Sequence, residues 1–146
     1  MSKGNVEVVR RAVDALNRRK MWLDYVDPEV EWIEDPRYPD AQTYRGREGV
    51  ERSIEKWWDT WASLVMQVEE MVDVEDRVVF WGITEARGHD SDVTVRAPFG
   101  GVWEFRDGLV VRVHVLGGRD EALEAAGLRE QPDLSTVDSL PVAEPP

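Results

Sequence analysis

Between residues 64 and 116 the sequence holds four consecutive strand-like runs with almost nothing between them. They cover about Leu64 to Val74, Arg77 to Arg87, Val93 to Phe105 and Leu109 to Leu116. Most are roughly twice the usual strand length of ~5–6 residues. Connections this short allow antiparallel neighbours, and long twisted strands cannot stay flat. Gly82 and the PFGG stretch at 98–101 are therefore expected to mark bulges that bend the sheet. A bent sheet has a concave side, and something must fill it.

Alternation assigns faces along these strands. Leu64, Met66, Val68, Val72 and Val74 share one face of the first. In the second, Val79, Trp81 and Ile83 share one face, and Val78 and Phe80 the other. The FRDGL turn at 105–109 fits either a two-residue turn at Asp107-Gly108 or a three-residue loop with Gly108 left-handed. Apolar agreement favours the second, pairing Phe105 with Leu109 and Trp103 with Val111. Trp103, Phe105, Val111, Val113 and Val115 then face inward, and Glu104, Arg112 and His114 outward.

Helices supply the filling. Asn5 can cap a helix carrying Val6, Val9, Val13 and Leu16 on one stripe, and a short helix follows around Met21 to Val26. Residues 30–40, VEWIEDPRYPD, read as a strand reaching Asp35 and broken by Pro36. Gly46 to Ser63 carries Val50, Ile54, Trp57 and Trp61 at helical spacing, with Trp58 off the stripe. Gly118 to Gly127 is a closing helix that begins with acids and stops at a glycine. From Arg129 to Pro146 the chain is rich in proline and acid without periodicity, the pattern of a solvated tail. The expectation is one α+β domain over residues 1–128: a strongly bent antiparallel sheet wrapped over N-terminal helices and one long helix, with residues 129–146 outside it.

Charge and composition narrow the partners. Thirty acids against 18 Lys+Arg leave a net charge of −12, which disfavours nucleic acid and anionic membrane surfaces. With no cysteine there is no disulfide or thiolate chemistry. The start, MSKGNVEVVRR, has no apolar leader stretch, so a cytoplasmic location is expected. Seven tryptophans against three phenylalanines is a skewed aromatic set, and such rings must pack or line something.

The element order, together with EDP after the first strand, YRGREGV opening the long helix, EFRDGLVVRV as the last hairpin and EALEAAGL at the end, resembles the SnoaL-like branch of the nuclear transport factor 2-like superfamily. The resemblance spans residues 5–128 and implies a cone-shaped α+β barrel with an internal pocket. It does not imply one reaction, because the superfamily holds isomerases, dehydratases, cyclases, epoxide hydrolases and non-enzymatic modules. Asp35 falls on the proton-shuttling aspartate of ketosteroid isomerase, but Ala12 and Gly101 stand where its oxyanion hole would be. Arg77 aligns with the arginine of limonene epoxide hydrolase, while Val79 and Gly117 occupy its acid positions. Polyketide cyclases carry an acid on the last strand, where this chain has Val113 and Val115. Only Asp35 carries over.

Asp35 is a general base if it is buried beside apolar rings, and a strand-end cap in DPRYPD otherwise. Alternation groups it with Glu31 and Ile33, opposite Val30 and Trp32, so its inward aim rests on the resemblance. Glu85 shares the Val79/Trp81 face, which the resemblance turns inward, and is a second acid or an anchor unless Arg87 simply pairs with it. Tyr44, Trp57, Trp61, Trp81, Phe99, Trp103 and Val113 are the expected ligand-binding lining. No metal pattern and no cofactor motif is present. Three functions remain open: cofactor-free isomerisation, dehydration or cyclisation of a small hydrophobic substrate; a binding or dimerisation module without catalysis; and a protein whose tryptophans fill its own cavity. The outward set (Val30, Trp32, Val78, Phe80, Val102, Val110 and Leu116 among charges) is too apolar for a free surface, and points to a homodimer through the outer sheet face.

Overall fold

A computed structural model describes residues 2–128; the tail expected from Arg129 lies outside the described residues. In chain order the elements are α1 (Ser2–Asn17), a 3-10 turn (Leu23–Tyr25), β1 (Val26–Ile33), β2 (Thr43–Arg45), α2 (Gly46–Thr60), β3 (Trp61–Val74), β4 (Arg77–Gly88), β5 (Thr94–Arg106), β6 (Leu109–Leu116) and α3 (Arg119–Ala125). The strands form one sheet in the order β2-β1-β6-β5-β4-β3. It is a mixed sheet, because β1 runs parallel to β6 while the other neighbours are antiparallel. Pro28 lies inside β1, where the pairing with β6 is interrupted between Val26 and Glu31, so its missing N–H breaks no ladder. Helix α1 begins at Ser2, leaving Asn5 buried within it rather than capping it. Helix α2 ends at Thr60, so Trp61 opens β3 instead of closing the helix.

Two bulges reverse several expected faces. In β3 the register slips between Val68 and Glu70. Before the slip Met66 and Val68 pack against the main core, whereas Val72 and Val74 beyond it cross to the other side. Gly82 stands opposite: a Cβ there would lie 1.9 Å from the Gln67 carbonyl oxygen, so only glycine lets the kinked strand approach. In the last hairpin Asp107 and Gly108 take positive φ values of 54° and 82°, forming a two-residue turn. A slip beyond it then pairs Phe105 with Val110 and Trp103 with Val113. The three-residue loop is thus not used, and the buried residue is Val110 rather than Val111.

The main core lies between α1, α2 and the concave face. Trp103 stacks on Trp22 at 5.1 Å and meets Trp32 at 6.2 Å and Phe80 at 5.8 Å. Val78 and Phe80 therefore face inward, and Val79 and Trp81 face the other way. Alternation could not separate these faces because both are apolar. Both are buried: α3 crosses the convex side and packs Ala122 and Ala126 against Val79, Trp81 and Val102. Gly100 allows that approach, since a Cβ would come 2.4 Å from the Gly118 carbonyl oxygen. Five of the seven apolar residues expected on the outer face (Val30, Trp32, Val78, Phe80 and Val110) belong to the inner core, and Val102 and Leu116 pack with the α3 cluster. The apolar outer patch invoked for a dimer is accounted for within one chain.

Gly82→Ala should destabilise the protein by about 2–3 kcal/mol, because the added methyl meets backbone that cannot swing away. Urea unfolding followed by tryptophan fluorescence checks this, and a loss under about 0.5 kcal/mol would contradict the close approach.

Candidate functional site

The concave face is not completely filled. A cavity of about 330 Å³ lies between the sheet, α1 and the end of α2. Its walls are mostly apolar: Leu16, Trp57, Trp58 and Trp61 on one side, Met66, Phe80, Phe99 and Trp103 on the other. The last turn of α2 sends Trp57 and Trp58 inward, and Trp61 follows where the chain turns into β3. Tyr38, on the loop after β1, meets Trp57 edge-on at 5.4 Å and forms part of the rim. This volume lies at the low end of the range typical of small-molecule pockets, about 300–1,000 Å³.

Of the residues singled out from sequence, Asp35, Trp57, Trp61, Phe99 and Trp103 line this cavity. Val113 is fully buried in the core beneath it. Tyr44 is buried on the short β2 strand, with the Lys56 ammonium 5.4 Å from its ring centre, and does not line the cavity. Trp81 and Glu85 are corrected: the side chain of Trp81 is on the convex face with Arg119 5.4 Å from its ring. Glu85 has the same parity and pairs with Arg96 at 2.6 Å, not with Arg87. Neither can reach a ligand across the sheet. Trp32 and Trp58, read as outward or off the stripe, do line the cavity.

Asp35 is buried, with 3% of its surface exposed. β1 ends at Ile33, so strand alternation no longer governs Asp35, and the turn at Pro36 brings it back toward the barrel. Both carboxylate oxygens are taken by Arg37: its backbone N–H donates to Oδ1 at 3.0 Å, Nε donates to Oδ2 at 3.0 Å, and a terminal nitrogen forms an ion pair with Oδ2 at 3.0 Å. The Arg37 guanidinium is held above its usual pKa by this hydrogen bonding with Asp35. It lies over Gly117, where a Cβ would come 2.2 Å from a guanidinium nitrogen. Asp35 therefore borders an apolar space from behind while being tied to a cation on the rim.

The neighbouring carboxylate escapes a reading of the sequence alone. Glu34 is 4% exposed and takes hydrogen bonds from Ser53 Oγ at 2.6 Å, Lys56 Nζ at 3.0 Å and the Gln42 backbone N–H at 3.1 Å. Ser53 and Lys56 are three residues apart on α2, and that spacing was the available signal. Burial works to lower the Lys56 pKa, but Tyr44 and Glu34 outweigh it and raise it above its usual value. Both oxygens of Glu34 are engaged away from the cavity, which makes it a latch joining β1, the following loop and α2. Asn17 is similarly occupied, its amide exchanging two 2.9 Å bonds with the Met66 backbone.

His114 lies on the convex face with Glu31, Glu104 and Arg112. Burial first, and then Arg112, lower its pKa from the ordinary 6.5, against opposing contributions from Glu104 and Glu31. His89 does not join a metal cluster: its ring contacts the Asp59 carbonyl at 3.0 Å, and among the described residues no three potential metal ligands converge. No described helix is long and apolar enough to cross a membrane.

An apolar cavity inside a curved six-stranded sheet with three helices defines the nuclear transport factor 2-like, or cystatin-like, class of α+β protein. The SnoaL-like domain model matches residues 9–113, and the chain belongs to that family. Solved structures agree in fold. TerC, co-crystallised with polyporic acid, superposes with a TM-score of 0.71 at 21% identity, over 86% of this chain and 97% of that one. An NTF2-like protein of unknown function from Burkholderia pseudomallei K96243 gives 0.72 at 22% identity, over 88% and 98%. Bal32a, from a soil-derived mobile gene cassette, gives 0.70 at 20% identity, over 78% and 88%. No curated protein matches the chain significantly.

Glu34→Ala leaves Ser53 without its partner and Lys56 with its 3.6 Å ion pair to Asp40, and should cost about 2–3 kcal/mol, measured by chemical denaturation. For His114, the unfolded chain takes up its proton first, near pH 6.5, so stability is complete above that value and declines as pH falls from there toward the lowered folded pKa. His114→Asn should remove this part of the acid destabilisation, and melting temperatures of both proteins between pH 7.5 and about 5 test it.

Proposed function

We propose that the cavity binds a small, largely hydrophobic molecule and that Asp35 serves there as a cofactor-free proton acceptor, in chemistry of the isomerase, dehydratase or cyclase type. What carries the reading is one juxtaposition: a buried carboxylate bordering a cavity whose walls are indole and phenyl rings. An apolar wall binds the body of such a ligand through the hydrophobic effect and strengthens any charge interaction made inside it. In a base-catalysed step, an Asp35 oxygen would take a proton from carbon next to a ligand carbonyl, and the proton would return to another position on the same ligand. Trp57, Trp61, Phe99 and Trp103 would hold the ring system so that the acidic C–H faces Asp35. Glu85, on the convex face, has no place in this scheme. The co-crystal of the fold neighbour TerC with polyporic acid supports a small-molecule ligand.

A second reading is favoured by a specific observation. Both Asp35 oxygens are engaged by Arg37, so a substrate proton must come to a lone pair that this pairing leaves open. If none ever does, the protein is a binding module whose Asp35–Arg37 pair only shapes the rim.

Hydrogen–deuterium exchange separates the two readings. Incubated in D2O with a panel of enolisable aryl and cyclic ketones, the wild-type protein should speed deuterium incorporation next to the carbonyl. Asp35→Asn should lose that acceleration by about 10²-fold or more. Ligand-dependent shifts in NMR spectra without any exchange would favour the binding module, and no shift with any ketone would remove the pocket reading itself.

A further inference from the structure

We propose that Thr84 is a ligand-specificity residue: its hydroxyl reads a hydroxyl or carbonyl group on a flat, otherwise apolar ring molecule seated against the β4 wall. This rests on the reading of the cavity as a ligand site.

Thr84 lines the cavity from the concave face of β4. In the sheet it stands beside Met66 of β3 and Ala97 of β5, with Gly82 and Ala86 on the same face of its own strand. All its neighbours on this wall are apolar. Among the described residues its hydroxyl has no hydrogen-bond partner; the Trp32 indole N–H, on the same cavity, is also unpartnered but fully buried within its ring cluster. The Asn17 amide is spent on Met66, Asp35 is held by Arg37, and Tyr38 is on the exposed rim. A half-buried hydroxyl among methyl groups is unfavourable unless something bonds to it, and valine would fill the same volume without that cost. Ala86 and Ala97 are small, so the space in front of the hydroxyl is left to a ligand atom. Asp35 reaches the cavity from the loop after β1 and Thr84 from β4, so on this reading the two residues meet different groups of the ligand. A ligand would be polar at two separated points and apolar between them.

The test compares naphthalene with 2-naphthol, titrated against tryptophan fluorescence in the full chain. Wild-type protein should bind 2-naphthol more tightly than naphthalene by about 5-fold, the size of one net hydrogen bond. Thr84→Val should lose this preference while keeping its affinity for naphthalene and a melting temperature no lower than wild type, because no internal bond is broken. Thr84→Ser should restore the preference. If Thr84→Val retains the 2-naphthol preference, the specificity role is overturned while the pocket stands. If neither compound quenches the wild-type fluorescence, the pocket reading and this inference fall together.

Discussion

The packing of Trp103 is the constraint on which the other features depend. Its ring is stacked on Trp22 before β1, tilted against Trp32 in β1 and edge-on to Phe80 in β4. Rings of this size bury about 150–250 Å² each, so bringing four together outweighs many smaller contacts. The curl of the sheet brings together rings from β1 and β5, which are separated by β6, with that of β4 beside them. Gly101 makes room by letting the Phe80 ring lie where a side chain would be, since a Cβ at that position would come within 2.8 Å of the ring. Gly82 allows β3 to kink against β4. The cavity is the space left between this aromatic cluster and the last turn of α2.

Curvature also explains why one face carries the site. The convex side of β4 and β5 is covered at one end by α3, and elsewhere the convex face carries ion pairs such as Glu31 with Arg45 and Arg112. The proposed ligand site therefore lies on the concave side, where apolar walls meet a few polar groups. Adjacent carboxylates take separate roles there. Glu34, one residue before Asp35, is consumed by Ser53, Lys56 and Gln42 and stiffens the loop that carries Asp35 and Tyr38. A rim held this firmly keeps Asp35 at a fixed distance from the ring walls, which is what a proton-transfer or recognition role requires.

Much of this is legible without coordinates. The long alternating runs, the tryptophan stripe of α2 and Gly82 opposite the β3 bulge each reflect local rules: a two-residue period, a 3.6-residue period and the steric freedom of glycine. The PFGG stretch at 98–101, expected to mark a bulge, pairs without a register shift. Those local rules are enough for the class of fold, the order of its elements and the presence of Trp57, Trp61, Phe99 and Trp103 around one space. Asp35 emerges from the EDP context, although its parity as a strand residue points the other way.

What tertiary structure alone decided is which face of β4 looks inward. Val78 and Phe80 compete with Val79 and Trp81 on equal apolar terms, and the choice depends on where α3, much later in the chain, comes to rest. That choice sends Trp81 and Glu85 to the convex side and brings Thr84 into the cavity. The same holds for Glu34, whose partners come from α2 and the intervening loop. A single inserted residue at a bulge reverses every side chain beyond it, and nothing in the local period of the sequence marks where that residue falls.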